Sequence, residues 1–325
     1  LQIDWQSEEY IGPKLVLQSC QVRPYIMQSN KRKMQRIAFV GFGEAGGILG
    51  SELAKVCEVR TYDILIATPT RDALCAKAES ARVTLSDTLE DAVTGADIVV
   101  SAVTASAARQ VALSVARIIK PGQWFLDINS VSPETKRDNG RIIEAAGASY
   151  IEAAVMAPVP PQRIKVPMLL GGPHAKSVAE QLRLLGMNTT AVSDQIGVAS
   201  AIKMCRSIMI KGLEALTVES MLAARRYGAE DAVLASLHAT FPSLGFDADF
   251  PDYLISRVAE HGRRRAAEMR EVAHTLEDVK IQPLMASATA KRQDELIDAM
   301  QAARYKYDAS QKFLWRDLAD ALAEK

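Results

Sequence analysis

Arg36-Ile37-Ala38-Phe39-Val40-Gly41-Phe42-Gly43-Glu44-Ala45-Gly46-Gly47 is the stretch on which the fold turns. Four consecutive apolar residues, Ile37 to Val40, predict a strand covered on both faces. A glycine-rich turn follows, and Ile48, Leu49 and Leu53 then continue at helical spacing. The turn carries G-x-G-x-x-G at Gly41, Gly43 and Gly46, in the strand–turn–helix setting that makes this motif informative. Gly41 permits the tight turn, Gly43 lets the backbone approach a pyrophosphate, and Gly46 lets the helix pack close to the strand. The helix N-terminus offers unpaired N–H groups to the anion. The expectation is a dinucleotide site built from Gly41, Phe42, Gly43, Glu44, Ala45 and Gly46, with a purely structural turn as the plainer alternative.

Working outward, Glu58 to Asp63 reads as the second strand, and it ends on a carboxylate 17 residues beyond Gly46. Asp63 in that place accepts hydrogen bonds from ribose hydroxyls and repels a 2′-phosphate. The next residue is Ile64 rather than an arginine, which favours NAD over NADP, although Arg71 stands close enough in sequence to serve a 2′-phosphate. A helix over 71–81, a short strand over 82–85 and a helix opened by Ser86 come next. The fourth strand, 97–103, places Val103 and Thr104 at its carboxyl end, where an open parallel sheet binds ligands. A helix over 105–120 and a fifth strand over 124–127 lead to the polar turn Asp127-Ile128-Asn129-Ser130-Val131-Ser132-Pro133. That turn is either helix capping by Ser130 or Ser132, or a substrate anchor facing the cofactor. Two further strands (150–155 and 167–172), separated by a loop with Pro158, Pro160 and Pro161, precede a helix near 175–186 and a short strand near 190–192.

Strands alternating with helices of these lengths predict an α/β class: an N-terminal, Rossmann-type doubly wound sheet over 36–193. From Ser193 the character changes. The pattern is helical without a break to Gly228, with Asp194 as the expected cap, Arg225 and Arg226 in the last turn, and Gly228 at the end. This long interdomain helix, 194–227, is apolar on most sides and is expected to be buried all round. A polar stripe interrupts it at Lys203, Ser207, Lys211 and Glu214. A buried lysine is costly unless paired or functional. The remainder is helical, so 194–325 is expected to be an all-α domain. Residues 1–35 match nothing that follows and are read as an extension of unclear role.

The chain has 325 residues, enough for two domains with substantial cores. Its 39 basic and 39 acidic residues balance, which argues against nucleic acid or an anionic membrane as the main partner. The four cysteines form no C-x-x-C pair, so reduced thiols and a cytoplasmic protein are expected. His174, His238, His261 and His274 lack metal-ligand spacing, and no metal site is expected.

Taken together, the Gly41–Gly46 loop, Val103-Thr104, Asp127–Pro133 and Gly197-Val198-Ala199-Ser200-Ala201-Ile202-Lys203 resemble, in that order, the β-hydroxyacid dehydrogenase family. That group includes 3-hydroxyisobutyrate dehydrogenase and 6-phosphogluconate dehydrogenase. The resemblance implies that Lys203 is the catalytic lysine opposite the nicotinamide. It also implies that Asn129, Ser130 and Ser207 orient the substrate, and that the helical domain packs against its twin in a homodimer. The departures point to a divergent branch with a distinct C-terminal domain. Ser207 replaces the usual asparagine, Met156-Ala157-Pro158 replaces Ser-Gly-Gly, and the usual Lys-Asp pair gives way to a run around Arg263-Arg264-Arg265.

The chemistry so implied is hydride transfer between NAD(P) and a small β-hydroxy acid or its phosphate, with Lys203 as general acid and base. Burial among Ile202, Met204 and Met209 is expected to lower its pKa. Arg264 or Arg265 is expected to bind a carboxylate or phosphate, or else to line a solvated helix face. Two alternatives remain: an imine reductase on the same scaffold, and a dinucleotide-binding protein without turnover.

Overall fold

The computed structural model describes residues 34–246 and 248–323. The predicted extension, and Cys20 within it, therefore lie almost wholly outside the described residues, which begin at the buried Met34.

Strand β1 (Arg36–Val40) shows why the sheet is covered on both faces. Ile37 and Phe39 enter one apolar core with Leu49 and Leu53, while Ala38 and Val40 enter a second with Val99, Phe125 and Tyr150. The period of two along a strand sends alternate residues to opposite faces, so an unbroken apolar run needs a layer on each side. Helices α1 (Glu44–Leu53) and α2 (Arg71–Ala81) follow β1 and β2 (Glu58–Tyr62). Then come β3 (Thr84–Leu85), α3 (Leu89–Val93), β4 (Ile98–Ser101), α4 (Ala105–Ala116), β5 (Trp124–Asp127) and α5 (Pro133–Ala145). Strand β6 (Ser149–Val155), the short α6 (Val159–Gln162), β7 (Pro167–Gly171), α7 (Ala175–Leu184) and β8 (Asn188–Ser193) complete the sheet region.

The eight strands lie in the order β3-β2-β1-β4-β5-β6-β7-β8, all parallel along β3 to β6. The order in which strands are added across the sheet reverses between β1 and β4, the switch point at which such sheets open a ligand crevice. Strand β7 runs antiparallel to β6, and β8 follows β7 in parallel. The expected Pro-rich loop contains the short α6. Helix α3 is capped by Thr88 rather than Ser86: the Thr88 hydroxyl accepts from the Asp91 N–H.

Helix α8 spans Val198–Arg226, 29 residues and about 43 Å. It starts four residues later than the sequence suggests, because Gly197 takes φ +104° and occupies the cap in place of Asp194. Its end agrees with expectation. Arg225 and Arg226 stand in the last turn, Gly228 has φ +64°, and the Gly228 and Ala229 N–H groups return to the Arg225 and Ala224 carbonyls. Helix α8 is not buried all round. Met209 is 74% exposed and Leu216 56%, on the face opposite Ser207, Lys211 and Glu214, all of which are buried. The polar stripe, not the apolar one, faces inward. It meets α10 (Phe250–Asp278), which with α9 (Glu230–Thr240), α11 (Leu284–Ala302) and α12 (Trp315–Ala323) builds the helical region. Two apolar clusters hold that region: one around Met221, Ile255, Val258 and Leu318, the other around Met204, Ala266 and Met269.

Candidate active site

The glycine loop has the geometry its sequence implies. Gly41 has φ +97°, and a Cβ on it would stand 2.4 Å from the Ala102 carbonyl oxygen. A Cβ on Gly46 would stand 2.2 Å from the Gly41 carbonyl oxygen, so α1 rests directly on the turn. Gly43 differs: a Cβ there meets nothing within 4 Å. Its backbone faces open space at the first turn of α1, beside the exposed Glu44 and half-buried Ala45. An open cradle at a helix N-terminus with the neighbouring glycines fully constrained fits a pyrophosphate. Phe42 is buried and packs against Gly50. Lys77 of α2 donates to the Phe42 and Gly43 carbonyls at 2.5 and 2.8 Å and so holds the loop from beneath.

Asp63 stands at the end of β2 and is 8% exposed. One carboxylate oxygen accepts from the Phe42 N–H at 2.6 Å, and the other accepts from the Leu65 N–H at 3.0 Å. It therefore binds the glycine loop to the second strand, with Ile64 exposed next to it. Arg71 is drawn to Asp87 at 2.7 Å. Val103 packs over Gly41, and the exposed Thr104 opens α4.

The polar turn after β5 is organised from below. Asp127 is buried, and one of its carboxylate oxygens accepts from Lys136 Nζ at 2.9 Å and from the Asn129 N–H at 2.9 Å. The other accepts from the Tyr150 hydroxyl at 2.8 Å. Burial, with Asp127 beside it, pushes the Tyr150 phenol far above its ordinary pKa. Asn129 in turn accepts from the Val103 N–H at 2.7 Å and donates to Ser101 Oγ at 2.8 Å. Its amide thus ties the end of β5 to the end of β4. Ser130 follows it, half-buried. Ser132 caps α5 by accepting from the Thr135 N–H, while its own N–H donates to Glu271 of α10 at 3.1 Å.

Lys203 lies one turn into α8, half-buried. Desolvation lowers its pKa to about 8; the negative Glu268 works against this, and the positive Lys211, Lys136 and Arg264 work with it. The expected apolar shell is only partly present, since Met204 is buried but Ile202 and Met209 are exposed. Charged neighbours surround the amine instead. Ser207 accepts from Lys211 Nζ at 3.2 Å, and Lys211 pairs with Glu268 at 2.9 Å. Desolvation raises Glu268, but Lys211, Lys203 and Arg264 outweigh it and hold the carboxylate below its usual range. The two candidate arginines separate. Arg265 Nε donates to Glu214 at 2.8 Å in a largely buried pair, whereas Arg264 is exposed and in no ion pair among the described residues. Among the described residues, no cluster of three or more His, Cys, Asp or Glu is placed to hold a metal ion, and no helix is long and apolar enough to cross a membrane.

Several residues that build this site escaped the sequence reading. Glu152 on β6 was signalled only by a lone carboxylate in an otherwise apolar run. Lys136, Lys77 and Glu271 carried no local signal, because each acts on a partner far away in sequence.

The fold and the loop together define a nicotinamide-dinucleotide-binding domain joined to a helical one. Residues 36–192 match the NAD binding domain of 6-phosphogluconate dehydrogenase, and residues 224–296 match a domain of unknown function (DUF1932). A conserved hypothetical protein from Sinorhizobium meliloti 1021 is 38% identical, with a TM-score of 0.74 over 89% of this chain and 96% of that one. The conserved protein MTH1747, described as structurally similar to 3-hydroxyacid dehydrogenases, is 32% identical, with a TM-score of 0.67 over 82% and 98%. The 3-hydroxyisobutyrate dehydrogenase of Mycobacterium tuberculosis shares the fold at 16% identity, with a TM-score of 0.69 over 89% and 99%. The chain belongs to the 3-hydroxyacid dehydrogenase-like family, in a divergent branch marked by its C-terminal domain.

Proposed function

We propose that this protein is an NAD-dependent dehydrogenase of small β-hydroxy acids, with Lys203 as the group that exchanges a proton with the substrate hydroxyl. The observation that carries the proposal is the setting of Lys203 one turn into α8, beside the Ser207–Lys211–Glu268 chain that joins α8 to α10, where desolvation lowers its pKa. A bound nicotinamide supplies the hydride acceptor in oxidation and the donor in reduction. The glycine loop and Asp63 hold the dinucleotide, and Asn129 holds Val103 and the β4 end in register with it. In oxidation the neutral amine of Lys203 takes the hydroxyl proton. In reduction the ammonium returns one to the developing alkoxide. With a pKa of about 8 both forms are present near neutrality, as a residue working in both directions requires.

Arg264 is the available cation for a substrate carboxylate or phosphate, since Arg265 is engaged by Glu214. Ser130 and Ser207 lie on the turn and on α8 as hydroxyl donors to substrate oxygens. NAD is favoured because Asp63 keeps a carboxylate at the end of β2 while Arg71 is held by Asp87. The exposed Met209 and Leu216 support self-association through α8, and a monomeric mass by light scattering would remove that part.

The test is a panel of β-hydroxy acids, sugar acids, their phosphates and cyclic imines, followed by nicotinamide absorbance with NAD(H) and NADP(H). Turnover of a hydroxy acid with NAD is expected. Turnover of imines alone would assign a reductase on the same scaffold, and tight NAD binding with no turnover would leave a binding protein.

A further inference from the structure

Strand β6 reads Ser149-Tyr150-Ile151-Glu152-Ala153-Ala154-Val155, and its one carboxylate is fully buried. Burying a charge is costly unless hydrogen bonds replace the lost water. Four do. Glu152 Oε1 accepts from the Gly197 N–H at 2.7 Å and the Ala199 N–H at 2.9 Å, and Oε2 accepts from the Ser200 N–H at 3.3 Å and the Ser200 hydroxyl at 2.6 Å.

The surroundings are shaped for this carboxylate. Gly171 is its register partner on β7, and a Cβ there would stand 2.4 Å from Oε1. Gly197 has φ +104°, and a Cβ on it would stand 2.5 Å from an Arg137 nitrogen. A helix cap ordinarily comes from the side chain at the N-cap itself. Helix α8 has a glycine there, so its cap comes from the sheet, 45 residues upstream of Gly197. A carboxylate at the positive end of a 29-residue helix is favourable on its own. This one also joins two structures that must stay in register. Glu152 neighbours Asp127 across the sheet, and Asp127 shapes the Asn129–Ser130 turn. Ser200 stands one helical turn before Lys203.

We propose that Glu152 is a positioning residue: its carboxylate fixes the first turn of α8 to the sheet and thereby sets where the Lys203 amine stands. It rests on the reading of Lys203 as the proton-transfer group, but it is tested without turnover. Competitive labelling of amines across pH, read peptide by peptide by mass spectrometry on the full chain without cofactor, gives a titration midpoint for Lys203. In the wild type this midpoint is expected at about 8.

In Glu152→Gln, where an amide N–H₂ opposes backbone donors, and in Gly171→Ala, which crowds Oε1, a freed first turn lets water reach the amine. The midpoint is then expected to rise by about one pH unit, a tenfold fall in the neutral fraction. The exposed Lys291 is the internal control and stays unmoved. NAD affinity is expected to hold within about twofold, because the glycine loop is untouched. If Glu152→Gln does not fold, Ser200→Ala, which removes the hydroxyl's contacts with Glu152 and the Gly197 carbonyl but keeps the backbone N–H bonds, is expected to move the midpoint in the same direction. An unchanged midpoint in folded variants would overturn the proposal. Absence of wild-type turnover with every hydroxy acid, beside a midpoint that does move, would overturn the dehydrogenase reading and leave the positioning role standing.

Discussion

Asp127 and Lys136 form an enclosed ion pair beneath the β5 turn, each side chain 1% exposed, with Nζ 2.9 Å from the carboxylate and 2.7 Å from the Asp127 carbonyl oxygen. Such a pair adds little net stability over apolar packing, yet removing one member strands the other charge. Lys136→Met is therefore expected to cost about 3–5 kcal/mol in urea melts. Asp127→Asn, which keeps the shape, leaves Lys136 uncompensated and is expected to lower stability comparably. Near-additive losses in the double variant would contradict a coupled pair.

The glycine loop yields a paired expectation. Gly41→Ala places a Cβ 2.4 Å from the Ala102 carbonyl oxygen at φ +97°, so it is expected to lower the melting temperature. Gly43→Ala has open space and φ −68°, so it is expected to melt as the wild type while losing NAD affinity by at least about tenfold. Calorimetry and dinucleotide titration of the two variants separate a structural glycine from one kept clear for ligand.

Asp63→Ala removes the acceptor of the Phe42 N–H at 2.6 Å. Hydrogen bonds to charged groups contribute about 1.5–3 kcal/mol, so stability is expected to fall by about that amount, and NAD binding is expected to weaken as the glycine loop loses its tie to β2. The discrimination against NADP is expected to shrink with it. An unaltered NAD-to-NADP affinity ratio would remove Asp63 as the selector.

The neighbouring arginines are expected to part company. Arg265→Ala strands the buried Glu214, whose pKa burial already raises against the pull of Arg265, and is expected to cost about 3–5 kcal/mol of stability. Arg264→Ala is expected to leave stability within about 0.5 kcal/mol. It is also expected to raise KM for an anionic substrate about tenfold or more. The opposite pattern in melts and kinetics would reverse the assignment.

Lys203 also has a stability signature. Its native pKa of about 8 lies below the ordinary 10.5, so the folded state releases the proton first. Wild-type stability therefore rises as pH climbs between these two values, and the cost of burying the ammonium, about 3 kcal/mol, is fully present below pH 8. Lys203→Met is expected to be the more stable protein at neutral pH and to lose that advantage towards pH 10.5. Urea melts across this range check it.

The sheet and its crevice were legible because local signals carry them. Ile37 to Val40 alternate between two cores, and Gly41 to Gly46 make a turn that few other residues allow. The start of α8 was not legible, because its cap is Glu152 rather than the adjacent Asp194. The antiparallel β7 was likewise hidden, since nothing within Pro167–Gly171 encodes direction. Lys203 stood out as a polar break in an apolar helix. Which arginine stays unpaired depends on helix rotation and on Glu214, 51 residues before Arg265. The charged shell of Lys203 is assembled from α5, α8 and α10, and no single segment discloses it.

The most direct measurement is the rate of NADH formation by wild type and Lys203→Ala, across pH, with the hydroxy acid that the panel identifies. Wild-type kcat in oxidation is expected to rise with pH and level off above about 8, as the amine loses its proton. Lys203→Ala is expected to lose at least about 100-fold in kcat and that pH dependence, with folding and NAD affinity intact. A folded Lys203→Ala protein turning over near the wild-type rate would contradict the account.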